Sequence, residues 1–339
     1  MTIENLEKEL KSGKLENLYV LYGEELFLLE SCLKRIKKNF GELSPGINFI
    51  QLDDANINSI ISELQTPAFG YPKKLIIARD TKILKKEGRK KSGNTEAVLI
   101  REKISEYLKK YDLEDCVLVF VEEEAENNEL LETIQSKNGV ICNFEFQKPH
   151  QIEQRLKGIC NAYKVNVSSS TLNYFIDVCG TNMQNLINEI RKLIEFAGEN
   201  GTIKNEDIDA LCTKTLDSNI FDLTDNLGKK NITEVIRILS ELLYAKEPIQ
   251  KILITLYNHF KKIYIVKLAE VSNRNIATEL NLKPNQTFLV NKYKSQSKYF
   301  SILELKTILD ELINLDYNYK IGKIDLNIGL ESILCRYCS

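Results

Sequence analysis

In a chain that alternates strands with helices, a nucleotide's phosphates are held in the turn after the first strand. Such a turn reads G-x-x-x-x-G-K-[ST]. Its glycines let backbone N–H groups crowd the phosphates, and its lysine neutralises them. Here the apolar run Leu18-Tyr19-Val20-Leu21-Tyr22 leads into Gly23-Glu24-Glu25-Leu26-Phe27-Leu28. One glycine is present, the second glycine and the lysine are absent, and two carboxylates stand where phosphate would lie. Like charge at that point opposes ATP. The expectation is a degenerate phosphate loop, Gly23, Glu24 and Glu25, that neither binds nor hydrolyses nucleotide. Gly13-Lys14 precedes the strand and lies on its wrong side. Glu24 and Glu25 could instead be a catalytic pair. Adjacent carboxylates at a helix N-terminus serve the helix dipole, and that role is preferred here.

Other chemistry has little to stand on. There are two histidines, His150 and His259, and no G-x-S-x-G or H-E-x-x-H motif. His259 lies among Tyr257, Phe260 and Lys261 and is expected to be structural or solvated. Cys335-Arg336-Tyr337-Cys338 is a CxxC without the second pair that structural zinc needs, so no metal site is expected. The other cysteines (32, 116, 142, 160, 179 and 212) mostly sit in apolar patterns. They read as reduced, buried thiols of a cytosolic chain rather than a disulfide framework.

Two surface segments are candidates for contact with partners. Lys82, Lys85, Lys86, Arg89, Lys90 and Lys91 form a basic stretch with Gly88 and Gly93. It is either a solvated loop or a contact to a phosphate backbone, blind to base sequence. The acidic run Glu122–Glu126 is expected to be a solvated turn. Thr66-Pro67-Ala68-Phe69-Gly70-Tyr71-Pro72 places two aromatics between Pro and Gly on a connection. It fits either a protruding anchor for a partner's pocket or local packing under the loop.

The elements that must position these residues follow from patterning. The chain has 339 residues, 43% hydrophobic and 28% charged, with a formal net charge of −2. That length exceeds what one core comfortably serves, so several domains are expected. Near-neutral charge confines any nucleic-acid contact to a local basic face. No run is long and apolar enough to span a membrane, and the polar Met1–Asn5 start does not resemble a signal peptide. Short apolar runs at Leu18–Tyr22, Phe49–Leu52, Leu75–Ala78, Val117–Val121 and Val140–Phe146 alternate with amphipathic stretches such as Leu26–Phe40 and Ile57–Leu64. This predicts a parallel five-stranded sheet covered on both faces. After Pro149 the strand signal stops. Leu172, Phe175, Ile176 and Cys179 recur at helical spacing before Gly180, as do Met183 to Ile194 before Gly198. From Ile220 every pattern is helical, with Asn231 and Glu234 resembling a capping box and Pro248 and Pro284 as punctuation. The expected fold class is α/β plus all-α: residues 1–147 as the α/β domain, 148–212 as a small helical domain and 213–339 as a helical domain. Three functions stay open on residues alone: a non-catalytic binding subunit, a nucleotide-using enzyme with Asp53-Asp54 holding Mg²⁺, and a helical adaptor.

Several segments together resemble one family. Leu18–Glu30, Leu-Tyr-Val-Leu-Tyr-Gly-Glu-Glu-Leu-Phe-Leu-Leu-Glu, is similar to the signature of the bacterial DNA polymerase III delta subunit. Pro67-Ala68-Phe69-Gly70, followed by Lys73-Lys74-Leu75-Ile76-Ile77, resembles that family's clamp-binding element. Gly180–Phe196 with Asn-Glu-Ile-Arg-Lys-Leu, Ile220–Asp225, and Leu282-Lys283-Pro284 through Gly322 resemble its later segments in order. The resemblance implies an AAA+-like first domain, a lid-type second domain and a helical collar that oligomerises. It implies a replication subunit without cofactor or catalytic site of its own, which opens the beta sliding clamp. Partners would be the clamp, the gamma/tau ATPase and delta-prime subunits, and primed DNA, in the cytoplasm at the nucleoid. Absence of a Ser-Arg-Cys and of a first-domain cysteine cluster favours delta over its paralogues. Phe69 is the implied principal anchor, flanked by Pro67, with either Ala68 or Tyr71 in the second role. Lys85, Lys86, Arg89, Lys90 and Lys91 remain the candidate DNA-backbone contact.

Overall fold

The computed structural model describes residues 1–85, 95–282, 286 and 288–338. Two compact units divide the chain, Met1–Phe146 and Gln147–Ser339. In the first, α1 (Ile3–Lys11), β1 (Leu18–Tyr22), α2 (Leu26–Phe40), β2 (Phe49–Leu52), α3 (Ile60–Gln65), β3 (Lys74–Arg79), α4 (Thr95–Lys110), β4 (Cys116–Glu122), α5 (Glu129–Ser136) and β5 (Val140–Asn143) follow one another. The five strands form one sheet in the order β2-β3-β4-β1-β5, parallel throughout. Strand β1, between β4 and β5, sets Val20 opposite Phe120 and Ile141.

Alternation along β1 explains why its five residues read as one apolar run. Tyr19 and Leu21 enter a core with Leu6, Leu29 and Ile36 of α1 and α2. Leu18 and Val20 enter a second core with Ile104, Leu130 and Ile134 of α4 and α5. Successive side chains leave opposite faces, and both faces are covered, so every position is apolar. The expected fifth strand runs to Phe146 but ends at Asn143. The Phe144 N–H donates to the Tyr22 carbonyl at 2.6 Å, and its carbonyl accepts from the Glu25 N–H at 2.8 Å. Phe144 therefore serves the turn after β1.

The second unit begins with α6 (Pro149–Ala162), β6 (Asn166–Val167), α7 (Ser169–Cys179), α8 (Met183–Ala197), β7 (Thr202–Ile203) and α9 (Asn205–Leu211). The strand signal does not stop altogether at Pro149, because β6 and β7 pair in parallel. Two residues are too few to show an alternating pattern. Then come α10 (Leu216–Gly228), α11 (Ile232–Tyr244), α12 (Ile249–Val271), α13 (Ile276–Glu279), α14 (Leu289–Ser297), α15 (Ile302–Lys320) and α16 (Leu326–Cys338). One core joins them, with Leu223, Leu239, Leu256, Ile263, Leu312 and Leu330 at its centre. Side-chain caps begin several of these helices. Asn231 accepts from the Glu234 N–H at 3.4 Å, and Ser301 with Glu304 forms a reciprocal capping box. Lys283 and Pro284 lie outside the described residues. His259 is structural: it is buried, its Nε2 lies 2.8 Å from Gln296 Oε1, and burial pushes its pKa down to about 4. Among the described residues no helix is long and apolar enough to cross a membrane.

Candidate functional site

The connection from α3 to β3 has an exposed tip and a fastened base. Ala68 to Tyr71 form a β-turn, closed by the Tyr71 N–H donating to the Ala68 carbonyl at 2.9 Å. Gly70 holds φ +80° at the third position, which makes the turn type II and favours glycine there. Phe69 takes the second position, at the apex, with 75% of its surface exposed. Among the described residues of the first unit, no large apolar side chain is more open to solvent. Pro67 is exposed and Ala68 is half-buried.

Three fastenings hold that tip. Tyr71 is half-buried, and its hydroxyl lies 2.5 Å from the Ser44 hydroxyl, which moors the far side of the turn to the segment before β2. Lys74, first residue of β3, is only 3% exposed. Its ammonium donates to the carbonyls of Glu63 at 2.9 Å and Thr66 at 3.0 Å, and to the Glu63 carboxylate at 2.9 Å. The last carbonyls of a helix have no partner within it, so this lysine satisfies acceptors at the end of α3 and its own charge together. The Tyr107 hydroxyl of α4 reaches the Leu64 carbonyl at 3.4 Å. Beside the turn, a groove of about 400 Å³ runs along Pro67, Ala68, Tyr71, Pro72 and Tyr107.

The turn after β1 is built the opposite way. Gly23 holds φ +128°, and a Cβ there would lie 2.5 Å from the Phe144 carbonyl oxygen. Its N–H donates to the Glu122 carbonyl at 3.2 Å, the Glu25 N–H to Phe144, and the Leu26 N–H to the Glu24 carbonyl at 3.0 Å. Glu25 has φ −84° and ψ 69°, the inverse γ-turn conformation, and is buried as the N-cap of α2. Glu24 is exposed. Three of the amides nearest a would-be phosphate are thus engaged with protein carbonyls.

The acidic run contains a correction. Glu122 is the last residue of β4 and is buried, not part of a solvated turn. Its carboxylate accepts from the Thr81 N–H at 3.0 Å, the Lys82 N–H at 3.2 Å and the Thr81 hydroxyl. Burial raises its pKa, while these donors pull it back. Of the basic stretch, Lys82 pairs with Asp54 at 2.5 Å, and Lys85 with Glu123 at 3.4 Å and Glu124 at 3.0 Å. Lys86, Arg89, Lys90 and Lys91 lie outside the described residues. Asp54 is therefore an ion-pair partner here, and the Asp53 carboxylate accepts from the Ala55 N–H at 2.9 Å. Of the CxxC, Cys335 is exposed and Cys338 buried on α16.

Two groupings were not apparent in the sequence. Lys11 of α1 and Lys34, Arg35 and Lys38 of α2 line one groove, and none of them forms an ion pair among the described residues. The i, i+4, i+7 spacing of 31, 35 and 38 with Lys34 marks one helix face, which a reading of motifs passes over. In the second unit, Cys179, Glu189 and Cys212 converge. Their hydrogen-bonded thiols behave unequally. The bond from Cys179 favours ionisation of Cys212, and with burial it holds the Cys179 proton in place.

Comparison with known proteins adds two family matches. Residues 19–144 match the family model described as DNA polymerase III, delta subunit. Residues 217–337 match the model described as DNA polymerase III delta subunit, C-terminal domain. The chain is 24% identical over 333 residues to DNA polymerase III subunit delta of Bacillus subtilis, covering 96% of this chain and 94% of the relative. It is 24% identical over 307 residues to the probable DNA polymerase III subunit delta of Aquifex aeolicus, covering 89% and 85%. The solved structure of the Bacillus subtilis DNA clamp loader delta protein shares the fold, with a TM-score of 0.76 over 99% of both chains at 23% identity.

Proposed function

The chain belongs to the DNA polymerase III delta subunit family, and from that premise we propose that it opens the beta sliding clamp with Phe69 as its anchor, without binding or hydrolysing ATP. The observation that carries this is a fastened turn with a bare phenylalanine at its apex. Burying such a side chain in a partner's apolar pocket is worth about 1.5–3 kcal/mol. A central aromatic anchor can cost about 2–4 kcal/mol when truncated. Pro67 and Ala68 flank Phe69 on the accessible side. Tyr71 has its hydroxyl tied to Ser44 and takes the mooring role, which leaves Ala68 as the neighbour in contact. Seating alone does not open a ring. The chain must bind the open clamp more tightly than the closed one, because a ligand shifts an equilibrium only by its differential affinity.

The remaining parts of the reading follow the same premise. Residues 148–212 serve as a lid-type domain and 213–339 as a collar that packs against gamma/tau ATPase and delta-prime subunits around primed DNA, in the cytoplasm at the nucleoid. Tyr244, Val271, Leu303 and Ile328 support the collar: they are large, apolar and exposed on helices whose other faces fill a core. The chain contributes no catalytic site of its own to the polymerase assembly. The engaged amides of Gly23, Glu25 and Leu26 support the absence of nucleotide chemistry.

The test is clamp capture measured by surface plasmon resonance. Phe69→Ala should lower affinity at least about 30-fold, as an anchor of about 2 kcal/mol requires, with an unchanged thermal midpoint. Equal affinity would remove Phe69 from the interface. Calorimetric titration of the chain with ATP should show no heat of binding. A micromolar constant would mean that the turn after β1 still cradles phosphate.

A further inference from the structure

Three side chains of the second unit that carry metal-ligand atoms come together, two from helix ends and one from within a helix. Cys179 is the last residue of α7, Glu189 lies in the middle of α8, and Cys212 follows α9 as its C-cap. The two sulfur atoms and a Glu189 carboxylate oxygen all lie within 4.8 Å of one another. Cys179 and Glu189 are buried and Cys212 is half-buried. We propose that Cys179, Glu189 and Cys212 bind one divalent cation of the zinc class, with solvent supplying the fourth ligand.

The donor set selects the ion. Two thiolates and one carboxylate suit borderline-soft zinc, whereas magnesium and calcium take oxygen ligands. Zn–S bonds of about 2.3 Å and Zn–O bonds of about 2.0–2.2 Å in a tetrahedron set ligand atoms about 3.5–3.8 Å apart. The trio needs to contract by about 1.3 Å at most. On binding, each S–H bond is replaced by a sulfur–metal bond, and the two protons leave to solvent.

Charge and supporting contacts fit the same ion. Two thiolates, a carboxylate and a dication sum to one negative charge. The Lys192 ammonium, 2.7 Å from Glu189 Oε2, balances it. That ammonium also donates to the Leu211 carbonyl at 3.1 Å, next to Cys212. Outer contacts orient the ligands, as metal sites require. The Thr213 N–H donates to Glu189 Oε2 at 3.0 Å, and Asn185 Nδ2 donates to the Cys179 carbonyl at 2.9 Å. Cys212 is only half-buried, which gives the ion access, and Cys179 borders a cavity of about 560 Å³. The ion would tie the ends of α7 and α9 to the middle of α8.

The experiment titrates the full chain, reduced and stripped of metal, with Co²⁺ and then Zn²⁺. One cobalt per chain should bind with a thiolate-to-cobalt charge-transfer band. Zinc should displace it and raise the thermal midpoint. Cys179→Ser with Cys212→Ser should abolish the band while circular dichroism keeps its helical signal. Cys212→Ala alone, at the half-buried position, should also lose it and serves where the double variant does not fold. Glu189→Gln should keep a weakened band with at least tenfold lower affinity. Cys335→Ser should change nothing, which separates this site from the C-terminal CxxC. No band at stoichiometric cobalt, or a band that survives loss of Cys212, overturns the proposal.

Discussion

Two glycine turns in the first unit, both with positive φ, do opposite things. At Gly23 the chain is pressed against the backbone of Phe144, and the surrounding N–H groups donate inward. At Gly70 nothing lies within 4 Å of where a Cβ would be, and the neighbouring side chain points to solvent. The first turn has consumed its hydrogen-bonding capacity in the fold. The second spends little on the fold and leaves apolar surface open. A turn can serve a partner only with groups that its own protein has not already used, which is why the reading of function moves from Gly23 to Phe69.

Substitutions at these turns can break or sharpen that contrast. Gly23→Ala should have the largest effect. It adds a Cβ 2.5 Å from a backbone oxygen at a φ that side chains rarely adopt. A loss of about 3–5 kcal/mol is expected, seen as a large drop in the midpoint of thermal unfolding. A wild-type midpoint would mean that the turn is not packed as described. Lys74→Met should come next. It strands the carbonyls of Glu63 and Thr66, and the loss of a charged hydrogen-bond donor to the end of α3 should cost about 1–3 kcal/mol. Clamp affinity should fall with it, though Lys74 is nearly inaccessible. If affinity held while stability fell, the base would not position the tip. Gly70→Ala should be the mildest, about 1 kcal/mol, from backbone preference alone. Its thermal midpoint should barely move, while clamp dissociation speeds up because Phe69 is aimed less well. A stability loss as large as that of Gly23→Ala would erase the distinction between the two turns.

How far the sequence could be read varies by residue. Strands β1, β3 and β4 were legible because a buried parallel strand needs apolar side chains on both faces, and Leu18–Tyr22 shows them. The end of β5 was not legible, since Phe144 is as apolar as a strand residue but spends its amide and carbonyl on Tyr22 and Glu25. Glu122 was misread for a related reason. A run of carboxylates suggests solvent, yet the first of them closes a strand and receives two backbone N–H groups after β3. Phe69 was visible as a candidate, flanked by proline and glycine. Lys74, which fastens the turn beneath it, stood in the sequence only as part of the segment Lys73–Ile77, with nothing local to mark its burial.

Local order in the chain determined the alternation of strands and helices, the helical remainder, the missing phosphate-loop lysine and the aromatic between Pro67 and Gly70. These depend on neighbours within a few residues, and periodicity records them. Tertiary structure alone decided which amides remain available at Gly23, that Lys74 supports the turn at Phe69, and that Cys179, Glu189 and Cys212 come together. Those outcomes join residues far apart in the chain, and no spacing encodes a contact that exists only once the elements have packed.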